Sequence, residues 1–153
     1  MGLSGKGGSM ASVKDVLKSK GRDVFSVPPD ATVKEALQLM ARKDVGALLV
    51  MRGQFLVGIF SERDYARKAV STGKNSTDTP VRDFMTDWVY AVGPNEDALT
   101  CLGLMNECHI RHLPVVEGEQ VVGLISIGDL VKVFLPDPDQ DLDVGRFIHT
   151  RPN

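Results

Sequence analysis

"GIFSERDY" (Gly58–Tyr65) and "GLISIGDL" (Gly123–Leu130) share one pattern: glycine, two apolar residues, serine, two variable residues, aspartate, an apolar residue. Sliding the chain along itself extends the match in both directions. With Val27 placed on Val92, the segment to Tyr65 runs onto the segment to Leu130 without a gap, an offset of 92 − 27 = 65 residues. Pro29 meets Pro94, Leu37 meets Leu102, Met40 meets Met105, Val50 meets Val115 and Gly53 meets Gly118. Two copies of one unit in 153 residues make a duplication, and a unit of that size buries little apolar surface alone.

Each copy has a legible element order. An extended piece ending in proline (residues 25–29; 90–94) precedes a helix over residues 32–43 and its counterpart over 97–108. Val33, Ala36, Leu37 and Met40 stand at i, i+3, i+4 and i+7, and Ala98, Cys101, Leu102 and Met105 repeat that stripe. Thr32 and Asp97 suit the N-caps. Two β-branched apolar runs then flank Arg52-Gly53-Gln54 in the first copy and Glu117-Gly118-Glu119 in the second, the pattern of a hairpin. A last helix starts at each serine–aspartate corner. The expected fold is α/β: two pseudo-symmetric β-α-β-β-α repeats packed through their sheets into one module.

Short helices are expected before each copy, "VKDVLKSK" (Val13–Lys20) matching "VRDFMTD" (Val81–Asp87), with a turn-rich linker over residues 71–80. The expected boundaries are 11–76 for the first repeat, 77–136 for the second and 137–153 for an acidic tail. "MGLSGKGGSM" is expected to be an appended, disordered leader with Met10 as the natural start. It lacks both the spacing of a phosphate-binding loop and the position-6 hydroxyl of a myristoylation signal.

Composition narrows the classes. The net charge is −2, and without Asp137, Asp139, Asp141 and Asp143 the balance is 18 basic against 16 acidic residues. A body that close to neutral is a poor match for a nucleic-acid binder. Two cysteines are too few for a disulfide framework, and no apolar run approaches the roughly 18–20 residues needed to cross a bilayer. The expected setting is cytoplasmic.

Ser61-Glu62-Arg63-Asp64 and Ser126-Ile127-Gly128-Asp129 both have the capping-box form, in which serine takes a helix N–H and aspartate reaches back. The same geometry suits a nucleotide. A helix N-terminus favours a phosphate, and a carboxylate can accept two hydrogen bonds from a ribose diol. Gly58 and Gly123 would admit a ligand close to the backbone or relieve a strand bend. Local pattern alone leaves capping and binding equally open.

In the order, spacing and duplication of these elements the chain resembles a stand-alone pair of cystathionine-β-synthase (CBS) domains, the tandem called a Bateman module. The matching pieces include "VPPDATVKEALQLMARKDVGALLVM" and "LVGIFSERD" in the first copy, and "VGPNEDALTCLGLM" and "IRHLPVVEGEQVVGLIS" in the second. The resemblance implies a non-enzymatic regulatory or sensor module that binds AMP, ADP, ATP or NAD(H) between its repeats and signals to a partner protein. It implies a homodimer and no membrane contact. Asp64 and Asp129 would hold ribose hydroxyls, with Ser61 and Ser126 near ribose or phosphate. Backbone at Ser26-Val27 and Ala91-Val92 would face the adenine, and Arg111 and His112 the phosphates. Where the second copy has Arg111-His112 the first has Gly46-Ala47, and carries Arg63 and Arg67 instead. The pocket of Asp129 is therefore expected to be the stronger phosphate site. An interaction scaffold without ligand is the alternative reading, and a nucleic-acid-binding member of the family the weaker one.

Cys101, Cys108, His109 and His112 could be read as metal ligands, but the first copy holds Ala36, Lys43, Asp44 and Ala47 in the same slots, so no metal is expected. Trp88 and Tyr90 fit either core packing or stacking on an adenine ring. No histidine completes a catalytic triad, and none of the expected roles is catalytic.

Overall fold

The computed structural model describes residues 11–74 and 78–135; the leader, three linker residues and the acidic tail with His149 lie outside them. In chain order the elements are α1 (Val13–Lys20), β1 (Ser26–Val27), α2 (Val33–Lys43), β2 (Ala47–Arg52), β3 (Phe55–Ser61) and α3 (Glu62–Thr72). A 3-10 turn (Val81–Asp83) follows, then α4 (Ala98–Cys108), β4 (His112–Glu117), β5 (Gln120–Ser126) and α5 (Ile127–Phe134). The expected α/β repeat is present. Thr32 caps α2 in a full capping box with Glu35, and Asp97 caps α4 by accepting from the Leu99 and Thr100 amides. Both helices end on a left-handed residue at equivalent positions, Asp44 and His109.

β2 pairs antiparallel with β3, and β4 with β5, each hairpin carrying a bulge at the same place. β1 adds a parallel strand to β2, whereas the second copy has only a bridge between Val92 and Val115. The reason is one residue. The Leu49 amide donates to the Phe25 carbonyl, and the equivalent of Leu49 is Pro114, which has no N–H to give. Leu48 and Val50 point into the first core, while Ala47 and Leu49 on the opposite face of β2 are also buried. A strand covered on both faces is what packing of two copies through their sheets requires.

The segments ahead of the copies cross over. α1 precedes the first copy but places Val13, Val16 and Leu17 in the core of the second, with Cys101, Leu113 and Ile125. The 3-10 turn precedes the second copy but places Val81 and Phe84 in the core of the first, with Val33, Met40 and Phe60. Backbone bonds repeat the exchange. Val13 and Lys14 amides donate to Glu96 and Pro94 carbonyls, and Val81 and Arg82 amides to the equivalent Ala31 and Pro29 carbonyls. An Arg82–Asp30 ion pair adds to the second of these straps.

The crossover also accounts for the repeated glycines. A Cβ on Gly58 would lie 2.6 Å from Met85 Sδ, and one on Gly123 would lie 2.7 Å from Leu17 Cδ2. Both glycines make room for a strap side chain, in place of the ligand approach or strand bend expected. Leu17 is fully buried and has nowhere to retreat. Gly123→Ala therefore destabilises by about 1–3 kcal/mol, the usual range for overpacking. Leu17→Ala costs about 2–5 kcal/mol alone, and the double variant should cost clearly less than the two added together. Denaturant midpoints of the three variants measure this; strict additivity would remove the contact as the cause.

Candidate functional site

The two serine–aspartate corners share local geometry and differ in what surrounds them. Ser61 caps α3 by accepting from the Asp64 amide at 3.1 Å, and Ser126 caps α5 by accepting from the Asp129 amide at 3.1 Å. In the second corner the box closes, because the Ser126 amide donates to Asp129 Oδ2 at 2.8 Å. Lys20, at the end of α1, donates to the same oxygen at 2.5 Å and to the Leu124 carbonyl at 2.7 Å. Burial pushes the Asp129 carboxyl up, but the Lys20 ammonium and the Ser126 amide outweigh it and hold it below the usual carboxylate range. In the first corner the box stays half open. Among the described residues no donor reaches the Asp64 carboxylate, which borders a cavity instead.

That cavity, about 400 Å³, lies between the copies. Its first-copy wall is Gly46, Ile59 and the α3 start with Ser61, Arg63 and Asp64. The second copy supplies Thr86, Trp88 and Tyr90 from the strap side, and His109, Arg111 and His112 from the approach to β4. Its volume and its few converging polar groups fall in the range of small-ligand sites.

Arg111 and His112 line this cavity and not the one beside Asp129, although the charges of Lys20 and Asp129 also reach His112. The Arg111 carbonyl does accept from the Ile127 amide beside that corner. Arg111 itself lines the cavity of Asp64, and His112 lies 3.9 Å from where a Cβ on Gly46 would be. His112 sits between both corners. Burial and the Lys20 charge lower its pKa, Asp129 and Asp64 oppose them, and Arg111 adds to the lowering.

Ser26, Val27, Ala91 and Val92 stay outside both cavities. Val27 and Val92 belong to the two cores, while Ser26 and Ala91 are exposed. Thr86, Trp88, Val89 and Tyr90, just ahead of Ala91, line the first cavity. Trp88 is 76 % exposed, so core packing does not apply to it. Arg67 is exposed on α3 and lines neither cavity. Cys101 lies in the second core, where burial pushes its thiol up to about 11, away from His109 and His112 in the cavity wall.

The second cavity, about 330 Å³, is lined by α1 and α5 residues including Asp15, Ser19, Lys20, Asp129 and Lys132. It contains neither an aromatic ring nor a histidine.

Comparison with known proteins matches the family model for the CBS domain twice, over residues 13–71 and 81–136. A mitochondrial CBS domain-containing protein of Arabidopsis thaliana, CBSX3, is 36 % identical over 86 % of this chain and 68 % of its own. A solved protein with CBS domains from Burkholderia ambifaria, assigned to signal transduction, is 43 % identical with a TM-score of 0.82, covering 88 % of this chain and 99 % of that one. The CBS domain pair of a protein called MJ0100, solved with 5′-methylthioadenosine and S-adenosyl-L-methionine, shares the fold at 23 % identity and a TM-score of 0.72, over 82 % of this chain and 96 % of that one.

Proposed function

The chain belongs to the CBS domain family, and from that premise we propose that it is a regulatory module which binds an adenosine nucleotide in the cleft beside Asp64. The observation that carries this reading is the Asp64 carboxylate, which accepts from none of the described residues and borders a cavity with arginine, histidine and aromatic residues in its walls. A ribose diol supplies two donors to one carboxylate. Trp88 and Tyr90 offer ring faces to an adenine, as rings at a polar boundary do. Arg63 and Arg111 offer fixed forks of donors to phosphate oxygens, next to the α3 N-terminus. The adenosine half is common to the ligands of MJ0100. The arginines favour AMP, ADP, ATP or NAD(H) over S-adenosylmethionine, whose sulfonium they would repel.

Signalling follows from the cleft being shared. A ligand touching both copies favours one relative arrangement of them, by no more than its difference in affinity between arrangements. No catalytic role is assigned to any lining residue. Ile127, Val131, Phe134 and Leu135 on and after α5, and Leu99 on α4, leave large apolar side chains exposed among the described residues. Their pairing with a second copy gives a homodimer. A monomer by sedimentation at micromolar concentration would remove that part. No helix among the described residues is long and apolar enough to cross a membrane, and two free thiols suit a reducing compartment such as the cytoplasm.

Calorimetric titration with AMP, ATP, NADH and S-adenosylmethionine tests the reading. Nucleotide binding is expected, and silence from all four would return both corners to helix caps. The pH dependence adds a second readout. Free His112 titrates below the ordinary histidine value because of its burial and the Lys20 charge. A bound phosphate raises that pKa, so binding takes up protons between the two values. Affinity therefore rises as pH falls below the bound-state pKa and levels off once free His112 is protonated too. Titration in two buffers of different ionisation enthalpy measures the uptake, and His112→Gln should abolish it. Equal uptake in the variant would take His112 out of the phosphate site.

A further inference from the structure

Resting on the nucleotide reading, we infer that Lys20 is a built-in occupant of the second corner, so that the duplicated module offers one open nucleotide site and keeps the other closed. The straps supply the comparison. Leu17 fills the space over Gly123 as Met85 fills that over Gly58, and Val13 docks as Val81 does, an offset of 81 − 13 = 68 residues in the chain. The same offset puts Lys20 on Trp88. At one corner this position holds an exposed ring beside a carboxylate that accepts nothing from the described residues. At the other it holds an ammonium bonded to the carboxylate and to the Leu124 carbonyl.

The chemistry of the occupant is that of the ligand it replaces. A ribose presents hydroxyl donors to the aspartate, and Lys20 presents N–H donors. Its charge makes the bond stronger than a neutral hydroxyl's. The Lys20 and Asp129 side chains are only 33 % and 15 % exposed, which limits competition from water. Asp129 Oδ2 already holds two donors, one from Lys20 and one from the Ser126 amide. A ribose diol that takes both carboxylate oxygens at this corner must displace Lys20 from Asp129 Oδ2. Lys20 is therefore a specificity-determining residue: it decides which of two like corners is available.

Stoichiometry reads this directly. Titrating AMP into the full chain, the wild type is expected to bind one equivalent, Lys20→Met two, and Lys20→Met combined with Asp64→Ala one. Lys20→Arg, which keeps a cation at the corner, should stay at one. Circular dichroism monitors the fold, and methionine preserves most of the side chain's apolar length. Two equivalents in the wild type, or one in Lys20→Met, would overturn the inference and leave the nucleotide reading intact. No binding by the wild type with one equivalent in Lys20→Met would keep the lock and overturn the Asp64 site. No binding by any form would overturn both.

Discussion

Asp64→Ala is expected to weaken nucleotide binding about a hundredfold or more while leaving the fold intact. Two hydrogen bonds from a ribose to an ionised carboxylate are worth about 1.5–3 kcal/mol each, so losing both costs about 3 kcal/mol or more, and 1.4 kcal/mol is tenfold in Kd. The variant folds because Ser61, not Asp64, caps α3, and the Asp64 side chain bonds to none of the described residues. Asp129→Ala should behave the opposite way. It strips Lys20 and the Ser126 amide of a shared partner, so it lowers stability while leaving the first site in use. Titration and thermal unfolding of the two variants separate the roles. Binding lost in Asp129→Ala and kept in Asp64→Ala would place the ligand at the second corner.

Phe84→Ala carries the largest expected loss of stability, about 3–5 kcal/mol for truncating a buried phenylalanine. Its ring is fully buried and meets Tyr65 edge-on at 5.2 Å between centroids. Where the damage falls is more telling than its size. Phe84 lies ahead of the second copy and fills the core of the first, with Val33, Met40 and Phe60. Amide exchange should accelerate over α2, β2 and β3 before it does over α4, β4 and β5. Loosening confined to the second copy would contradict the crossover.

Much of this architecture is legible in the chain because it is local. Caps at Thr32 and Asp97, hairpin turns and the stripe through Met40 depend on neighbours a few residues away, and the structure has them where the periodicity predicts. The crossover is different. Val13, Val16 and Leu17 form an apolar face that fits either core, and nothing local says which copy receives it. The same limit applies to the site. Residues 111 and 112 stand beside the second corner in the backbone register, since His112 pairs with Ser126, yet both line the cavity of Asp64. Lys20 and Asp129 are 109 positions apart, and their bond exists only once α1 has docked. Trp88 could be core or cleft from sequence alone; its exposure rules out the core, and it lines the cleft.

The crossed straps make each half of the chain complete only in the company of the other. A fragment holding α1 and the first copy brings the cover for its neighbour's core and leaves its own open. The other half, Val81 and Phe84 with the second copy, lacks the reverse cover, so the two halves close both cores by trading covers, the reciprocal exchange that turns a single fold into an intertwined pair. Severed halves would then fold only where concentration lets them meet, whereas the continuous chain keeps each cover within reach of its core at any dilution.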